Sequence, residues 1–347
     1  MTFFDLVEEA VERKASDIHL AVGHPALLRV DGDLFSLGDE PLSPRQVETL
    51  VREVVDEPRW KRFQQSHELD FAYEDKLQRF RINLHIARGQ LALSARVIRA
   101  TIPSFEEIAL PEVAQRLIEN ENGLILVTGP AGTGKSTTLA AMLGVINDTR
   151  PAHIVTLEDP IEYVFPKGMG LVKQREVGTD TDSFAEGLRR ALRQDPDVIM
   201  VGEMRDPETI SAALTLAETG HLVFSTLHTS SAAQAVHRIV DSFSGEQQDQ
   251  VRRMLALSLR GVIAQDLLPR VSGGLVAARE ILLNNNAVAN LIRENKVEQI
   301  GTVIQTGAQE GMVPMERSVE ELLDAKIISE ETARMYLPAT VQRGRRR

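Results

Sequence analysis

The stretch Gly129-Pro130-Ala131-Gly132-Thr133-Gly134-Lys135-Ser136 constrains this chain more than any other. A glycine, four residues and then Gly-Lys-Ser is the spacing of a loop that wraps a phosphate chain. Before it, Leu124-Ile125-Leu126-Val127-Thr128 is short, apolar and partly β-branched, and reads as a buried strand. After it, Thr137 to Leu143 is rich in helix formers. In a strand–loop–helix unit the glycines let backbone N–H groups turn inward on the phosphates. The helix N-terminus adds the positive end of its dipole. Residues Gly129 to Thr137 are therefore expected to bind a nucleoside triphosphate, ATP. Lys135 would reach the β- and γ-phosphates, and Ser136 would hold Mg²⁺ through its hydroxyl.

Three further segments put chemistry-bearing residues at strand ends. His153 to Leu157 reads as a buried strand running into Glu158-Asp159-Pro160-Ile161-Glu162. Asp197 to Val201 is another, followed at once by Gly202-Glu203, and His221 to Thr229 is a third, carrying His228 at its end. In an open α/β sheet the carboxyl ends of the strands face the ligand. Glu203 is thus a candidate to hold the attacking water, Glu158 a second carboxylate on the ligand side, and His228 a γ-phosphate sensor. Asp197 falls at the amino end of its strand and reads as structural.

The rest of the chain organises around this unit. Its 347 residues exceed one typical core. Residues 1–100 read as a small α+β domain: helices at Phe3 to Ala15, Ser43 to Val55 and near Pro58, with strands at Ser16 to Leu20, Leu27 to Val30, Leu34-Phe35, Glu68 to Tyr73, Arg79 to Ile86 and Leu91 to Arg99. A turn is expected at Asp31-Gly32-Asp33. Arg79, Arg81, Arg88, Arg96 and Arg99 are either a solvated strand face or an arginine set aimed at phosphates across an interface. Residues 101–122 read as a linker, with a helix over Ile108 to Glu119. Residues 123–347 read as a mostly parallel sheet with helices on both faces. Further helices are expected at Asp180 to Leu192, from Arg205-Asp206-Pro207 to Gly220, at Ala232 to Val240 and at Gln247 to Ala264. Leu267 to Pro269 and Leu275 to Leu283 would close the sheet, and helices run from about 287 to a basic tail, Gln342 to Arg347.

Composition excludes other classes. The chain has no cysteine, which removes disulfides, thiolate metal sites and cysteine nucleophiles and fits a reducing cytoplasm. Its net charge of -11, with no evident DNA-binding module, argues against a nucleic-acid translocase. No apolar run reaches the roughly 18 residues of a membrane span, so membrane association is expected to be peripheral.

These motifs resemble those of the type IV pilus retraction ATPases, within the secretion ATPase superfamily. The likeness runs from Ala15-Ser16-Asp17-Ile18-His19-Leu20 through the phosphate loop and Glu158-Asp159-Pro160-Ile161-Glu162-Tyr163. It continues through Gly202-Glu203-Met204-Arg205-Asp206 and Thr226-Leu227-His228-Thr229. Ala287-Val288-Ala289-Asn290-Leu291-Ile292-Arg293-Glu294 looks like the retraction subfamily's C-terminal helix, with Ala289 where arginine is common. The resemblance implies a RecA-like P-loop core behind a PAS-like domain. It also implies a homo-hexamer at the cytoplasmic face of the inner membrane, bound to a platform protein of the pilus machine. Glu203 would be the catalytic glutamate, Glu158 would place Mg²⁺ or water, and His228 would lie near the γ-phosphate. Arg81, Arg96 and Arg99 are the best matches for arginines that reach a neighbouring subunit's nucleotide. A pilus assembly or secretion ATPase, or a low-activity adaptor paralogue, is the alternative. The short N-terminal region and missing cysteines argue against the first, and intact Lys135, Ser136 and Glu203 against the second.

Overall fold

The computed structural model describes residues 2–30, 32–74, 79–98 and 101–337. Asp31, Arg99 and the tail Gln342 to Arg347 lie outside them. The chain divides into two compact units, Met1–Thr101 with Pro160–Val164, and Ile102–Asp159 with Phe165–Arg347.

The first unit runs α1 (Phe3–Glu12), β1 (Asp17–Ala21), β2 (Ala26–Val30), β3 (Asp33–Leu37), α2 (Pro44–Val54), α3 (Glu57–Ser66), β4 (Glu68–Glu74), β5 (Arg79–Ala87) and β6 (Gln90–Ile98). Its strands form one antiparallel sheet in the order β3-β2-β1-β6-β5-β4. Thr2 with Asp5, and Ser43 with Gln46, close capping boxes that start α1 and α2. Phe3, Leu6 and Val7 of α1 and Val47 and Val51 of α2 share a core with Phe80, Ile82 and Leu84 of β5. Period-two alternation turns Arg79 and Arg81 to the opposite face of that sheet.

The second unit begins with a short helix, α4 (Glu112–Gln115), continued as a 3₁₀ turn to Glu119. The longer helix expected from Ile108 does not form. Ala109 takes a positive φ of 47° and Pro111 follows, which has no N–H to continue a helix. The buried Arg279 guanidinium instead holds this turn, donating to the Ile108 and Ala109 carbonyls at 2.9 and 2.8 Å.

Then come β7 (Gly123–Thr128), α5 (Lys135–Thr149), β8 (His153–Glu158), β9 (Leu171–Glu176), α6 (Phe184–Ala191), β10 (Val198–Val201), α7 (Pro207–Glu218), β11 (Leu222–Leu227), α8 (Ala232–Asp241), α9 (Gly245–Ser258), β12 (Leu259–Pro269) and β13 (Leu275–Leu283). The chain closes with α10 (Asn286–Arg293), α11 (Ile300–Thr306), α12 (Met315–Asp324) and α13 (Glu330–Arg334). The sheet order is β13-β12-β7-β11-β10-β8-β9, and its pairs are parallel except for β12 with β13.

Two further elements differ from expectation. The helix expected to reach Ala264 stops at Ser258, and the chain turns into β12. Leu259 and Gly261 to Gln265 are all buried, so the run lacks the alternation that separates a strand from a buried helix. Gly261 permits the close packing, since a Cβ there would lie 2.8 Å from Leu117 Cδ2 and 3.0 Å from the Leu282 carbonyl. β9 was not expected. Its Leu-Val-Lys-Gln-Arg-Glu sequence is too polar to read as buried, and it pairs along one side only, with β8.

The C-terminal helices pack into this unit rather than standing beside it. Val288, Ala289 and Ile292 of α10 belong to the core, Val313 exchanges backbone hydrogen bonds with Ile281, and Tyr336 Oη donates to Asp266 Oδ2 at 2.6 Å. Removal of the chain from Ala287 onward would strip these contacts from the core. Ile292→Ala is expected to cost about 2–5 kcal/mol of stability as a buried large-to-small change. A denaturant midpoint equal to wild type would contradict it.

Candidate active site

The loop Gly129 to Ser136 joins β7 to α5 with backbone angles that demand glycine. Gly129, Gly132 and Gly134 have φ of 148°, 80° and 81°. A Cβ on Gly129 would lie 2.3 Å from the Gln265 carbonyl oxygen and 2.6 Å from Thr133 Oγ1. Lys135 is buried, and its Nζ donates to the Gly129 and Pro130 carbonyls, each at 2.8 Å. Among the described residues no side chain caps the N-terminus of the 15-residue α5, the end of a helix whose dipole favours an anion. Ser136 is exposed on that turn and Thr137 half-buried.

Parallel register brings the other candidates to the same edge. Thr128 pairs with Leu227 and Ala264, Val201 with Leu157 and Ser225. The residues that follow, Gly129, His228, Gln265, Gly202-Glu203 and Glu158, therefore emerge together at the carboxyl ends. Asp197 is at the other end, where its Oδ2 accepts the His153 N–H at 2.7 Å, a structural role as expected.

The Glu203 carboxylate is half-buried. Its Oε2 lies 2.8 Å from Arg205 Nε and 3.6 Å from His228 Nε2. Burial and then the Lys135 cation push the His228 imidazole below its ordinary pKa, against the opposing pull of Glu203. That shift favours the neutral ring, which has one N–H to donate and one nitrogen to accept. Glu158 is 6% exposed, and its Oε1 accepts from Thr156 Oγ1 at 2.6 Å and from Gln174 Nε2 at 3.0 Å. One carboxylate is braced by neutral donors, the other by a cation and an imidazole.

Arg81 and Arg96 sit opposite each other on β5 and β6 of the first unit. Like charges so placed need acidic neighbours. Arg96 Nε donates to Asp17 Oδ1 at 2.9 Å, and Arg81 Nε lies 3.9 Å from Asp70 Oδ1. Burial works against the Asp17 charge, but Ser16 and Arg96 still hold its carboxyl below the usual range.

Several supporting residues escaped the reading of the sequence. Gln174, on the unforeseen β9, bridges Glu158 and the Phe165 N–H. Thr226 Oγ1 donates to the Gly202 carbonyl at 2.6 Å, and the Met204 N–H donates to the Thr226 carbonyl at 3.3 Å, fixing the turn that carries Glu203. The available signal was a pair of hydroxyls, Ser225-Thr226, inside an apolar strand, since buried hydroxyls need partners.

Among the described residues no group of three or more His, Asp or Glu is arranged to hold a metal. A Mg²⁺ carried on nucleotide phosphates needs less from the protein, a hydroxyl and one or two carboxylates acting directly or through water. The exposed Ser136 and the braced Glu158 fit that smaller set.

A glycine loop at a helix N-terminus, with a carboxylate and a histidine on the same edge of a parallel sheet, defines a P-loop ATPase. The profile of the Type II/IV secretion system protein family matches residues 3–342. The chain is 46% identical over 335 residues to the type IV pilus retractation ATPase PilT of Pseudomonas aeruginosa, covering 96% of this chain and 97% of that one. It is 50% identical over 311 residues to a twitching motility protein of Neisseria gonorrhoeae, covering 89% and 83%. The crystal structure of the pilus retraction motor PilT with bound ADP superposes with a TM-score of 0.92 at 45% identity, covering 99% of this chain and 98% of that one. The chain belongs to the Type II/IV secretion system protein family and is an ATP-binding, PilT-like ATPase of it.

Proposed function

We propose that this protein is the ATP-hydrolysing motor that retracts type IV pili. It works as a homo-hexamer at the cytoplasmic face of the inner membrane, against a platform protein of the pilus machine. The observation that carries the activity is Glu203, half-buried at the end of β10 beside His228, in the same strand-edge row as the phosphate loop. Glu203 orients the attacking water. His228, neutral, donates toward the γ-phosphate, and Lys135 pairs the β- and γ-oxygens. Ser136 and Glu158 would hold Mg²⁺ directly or through water, and the ion would neutralise charge on the phosphates. Deletion of the gene in its own cell tests the direction of work. Excess, non-retracting surface pili are expected, whereas loss of all pili would mark an assembly motor.

The outward-facing arginines supply the second half of the site in this reading. Arg81 and Arg96 stand side by side on one sheet face, and we assign them, with Arg99, to a neighbouring subunit's nucleotide. A Lys135→Ala subunit mixed with an Arg96→Ala subunit is expected to recover part of the turnover that each homogeneous ring lacks. Mixed rings no more active than the homogeneous mutants would refute action in trans.

Coupling to the pilus is assigned to the exposed side of α10. Asn290 and Arg293 face solvent there, while Val288 and Ile292 are buried. Asn290→Ala with Arg293→Ala is expected to keep the melting temperature and ATP turnover and to lose twitching. Normal motility in that variant would sink the assignment.

A further inference from the structure

We propose that Gln265 is a positioning residue for nucleotide: its amide holds the phosphate loop in the form that accepts phosphate. The proposal rests on reading Gly129 to Ser136 as the nucleotide site. It adds a residue on β12, a strand outside every motif that identified that site.

A loop whose N–H groups converge on an anion turns carbonyls the other way, into the protein. Each buried carbonyl then needs a donor behind it. Thr133 is 4% exposed, and its carbonyl accepts from Gln265 Nε2 at 2.6 Å. The other end of the same amide, Oε1, accepts from Thr138 Oγ1 at 2.9 Å, one turn into α5. A carbonyl can only accept, so the amide orientation follows from its partners. Gln265 is 2% exposed and Thr138 1%, so water does not compete for either bond.

The same residue touches the loop in two other places. Its backbone carbonyl abuts Gly129, where a Cβ would approach to 2.3 Å, and its Nε2 lies 3.4 Å from where a Cβ on Gly134 would stand. One side chain therefore ties the loop to the first turns of the helix whose N-terminus receives the phosphates. The register that puts Ala264 opposite Thr128 is what brings Gln265 beside Gly129. The next residue, Asp266, points to the opposite side of the strand, where it accepts the Tyr336 hydroxyl. Tyr336→Phe thus loosens the same strand end without touching the loop, and serves as a control.

The test is calorimetric binding of MgATP to the purified full-length protein, with the nucleotide-free melting temperature recorded alongside. Gln265→Leu keeps the bulk and removes both bonds, and is expected to weaken MgATP binding about 10-fold or more. Gln265→Glu keeps the acceptor for Thr138 but loses the donor to Thr133. Burial raises its carboxyl pKa, and the protonated acid regains an O–H donor. Its affinity is therefore expected to recover as pH falls from 8 to 6, while wild type and Gln265→Leu show no such gain. Tyr336→Phe is expected to lower the melting temperature and leave affinity within about twofold. Folded Gln265→Leu and Gln265→Glu that bind MgATP as wild type does would overturn the proposal. Should both fail to fold, Thr138→Val removes one arm only. A weakening of about threefold or more then supports the proposal and unchanged affinity overturns it. Wild-type protein that does not bind MgATP would instead count against the site reading.

Discussion

Glu203→Gln is expected to bind MgATP with near-wild-type affinity and to hydrolyse it roughly 10²–10⁴-fold more slowly, the usual worth of a positioned proton acceptor. Three observations set this expectation. β10 is buried along its whole length and delivers Glu203 at its carboxyl end. Thr226 fixes the Gly202 turn from the next strand. Arg205 and His228 flank the carboxylate on Oε2 and hold it in place. The amide retains size and loses charge and basicity, while Lys135 and Ser136 are untouched. Glu158 is the competing base, since it emerges on the same edge. Its Oε1 already accepts from Thr156 and Gln174, which suits a fixed ligand for Mg²⁺ or its waters better than a group that must take a proton. Single-turnover hydrolysis by both glutamine variants separates the roles. A dead Glu158→Gln beside an active Glu203→Gln would exchange them.

Lys135→Ala is expected to weaken MgATP binding by about 10- to 100-fold and to stop turnover, the scale of a lost hydrogen bond to a charged group. The ammonium bridges the Gly129 and Pro130 carbonyls from within the loop. Its loss removes the cation meant for the β- and γ-phosphates and leaves two loop carbonyls without that donor. Both effects act on the same ligand, so binding falls as well as rate, unlike in Glu203→Gln. Calorimetry with MgATP on the two variants side by side is the check. Wild-type affinity and wild-type turnover in Lys135→Ala would end the assignment of this loop.

In the second unit the sequence is legible where signals are local. Gly129 to Ser136 announces itself because each residue meets a local demand: positive φ at three glycines, a cation, a hydroxyl. Buried strands followed by Glu158, Glu203 and His228 were legible because a short apolar run and the residue after it are adjacent in sequence. The caps Ser43, Asp206 and Ser231 act within one turn, so helix starts were mostly placed. The reading failed at β12, where an apolar segment buried all round has no period to distinguish strand from helix. It failed at β9, a polar strand stabilised by pairing with β8 rather than by its own pattern.

By itself, then, the sequence determined the phosphate loop, most of the strands and helices around it and the acidic and imidazole groups at strand ends. Each depends on contacts a few residues long. Tertiary structure alone decided that His228 would stand 3.6 Å from Glu203, that Gln174 would brace Glu158 and that Gln265 would brace the loop. Those pairings depend on which strands lie side by side, an order set by burying the whole sheet between its helices. Gln265 meets Thr133 across a separation of 132 positions, and no local pattern encodes a contact that only the register of β12 on β7 creates.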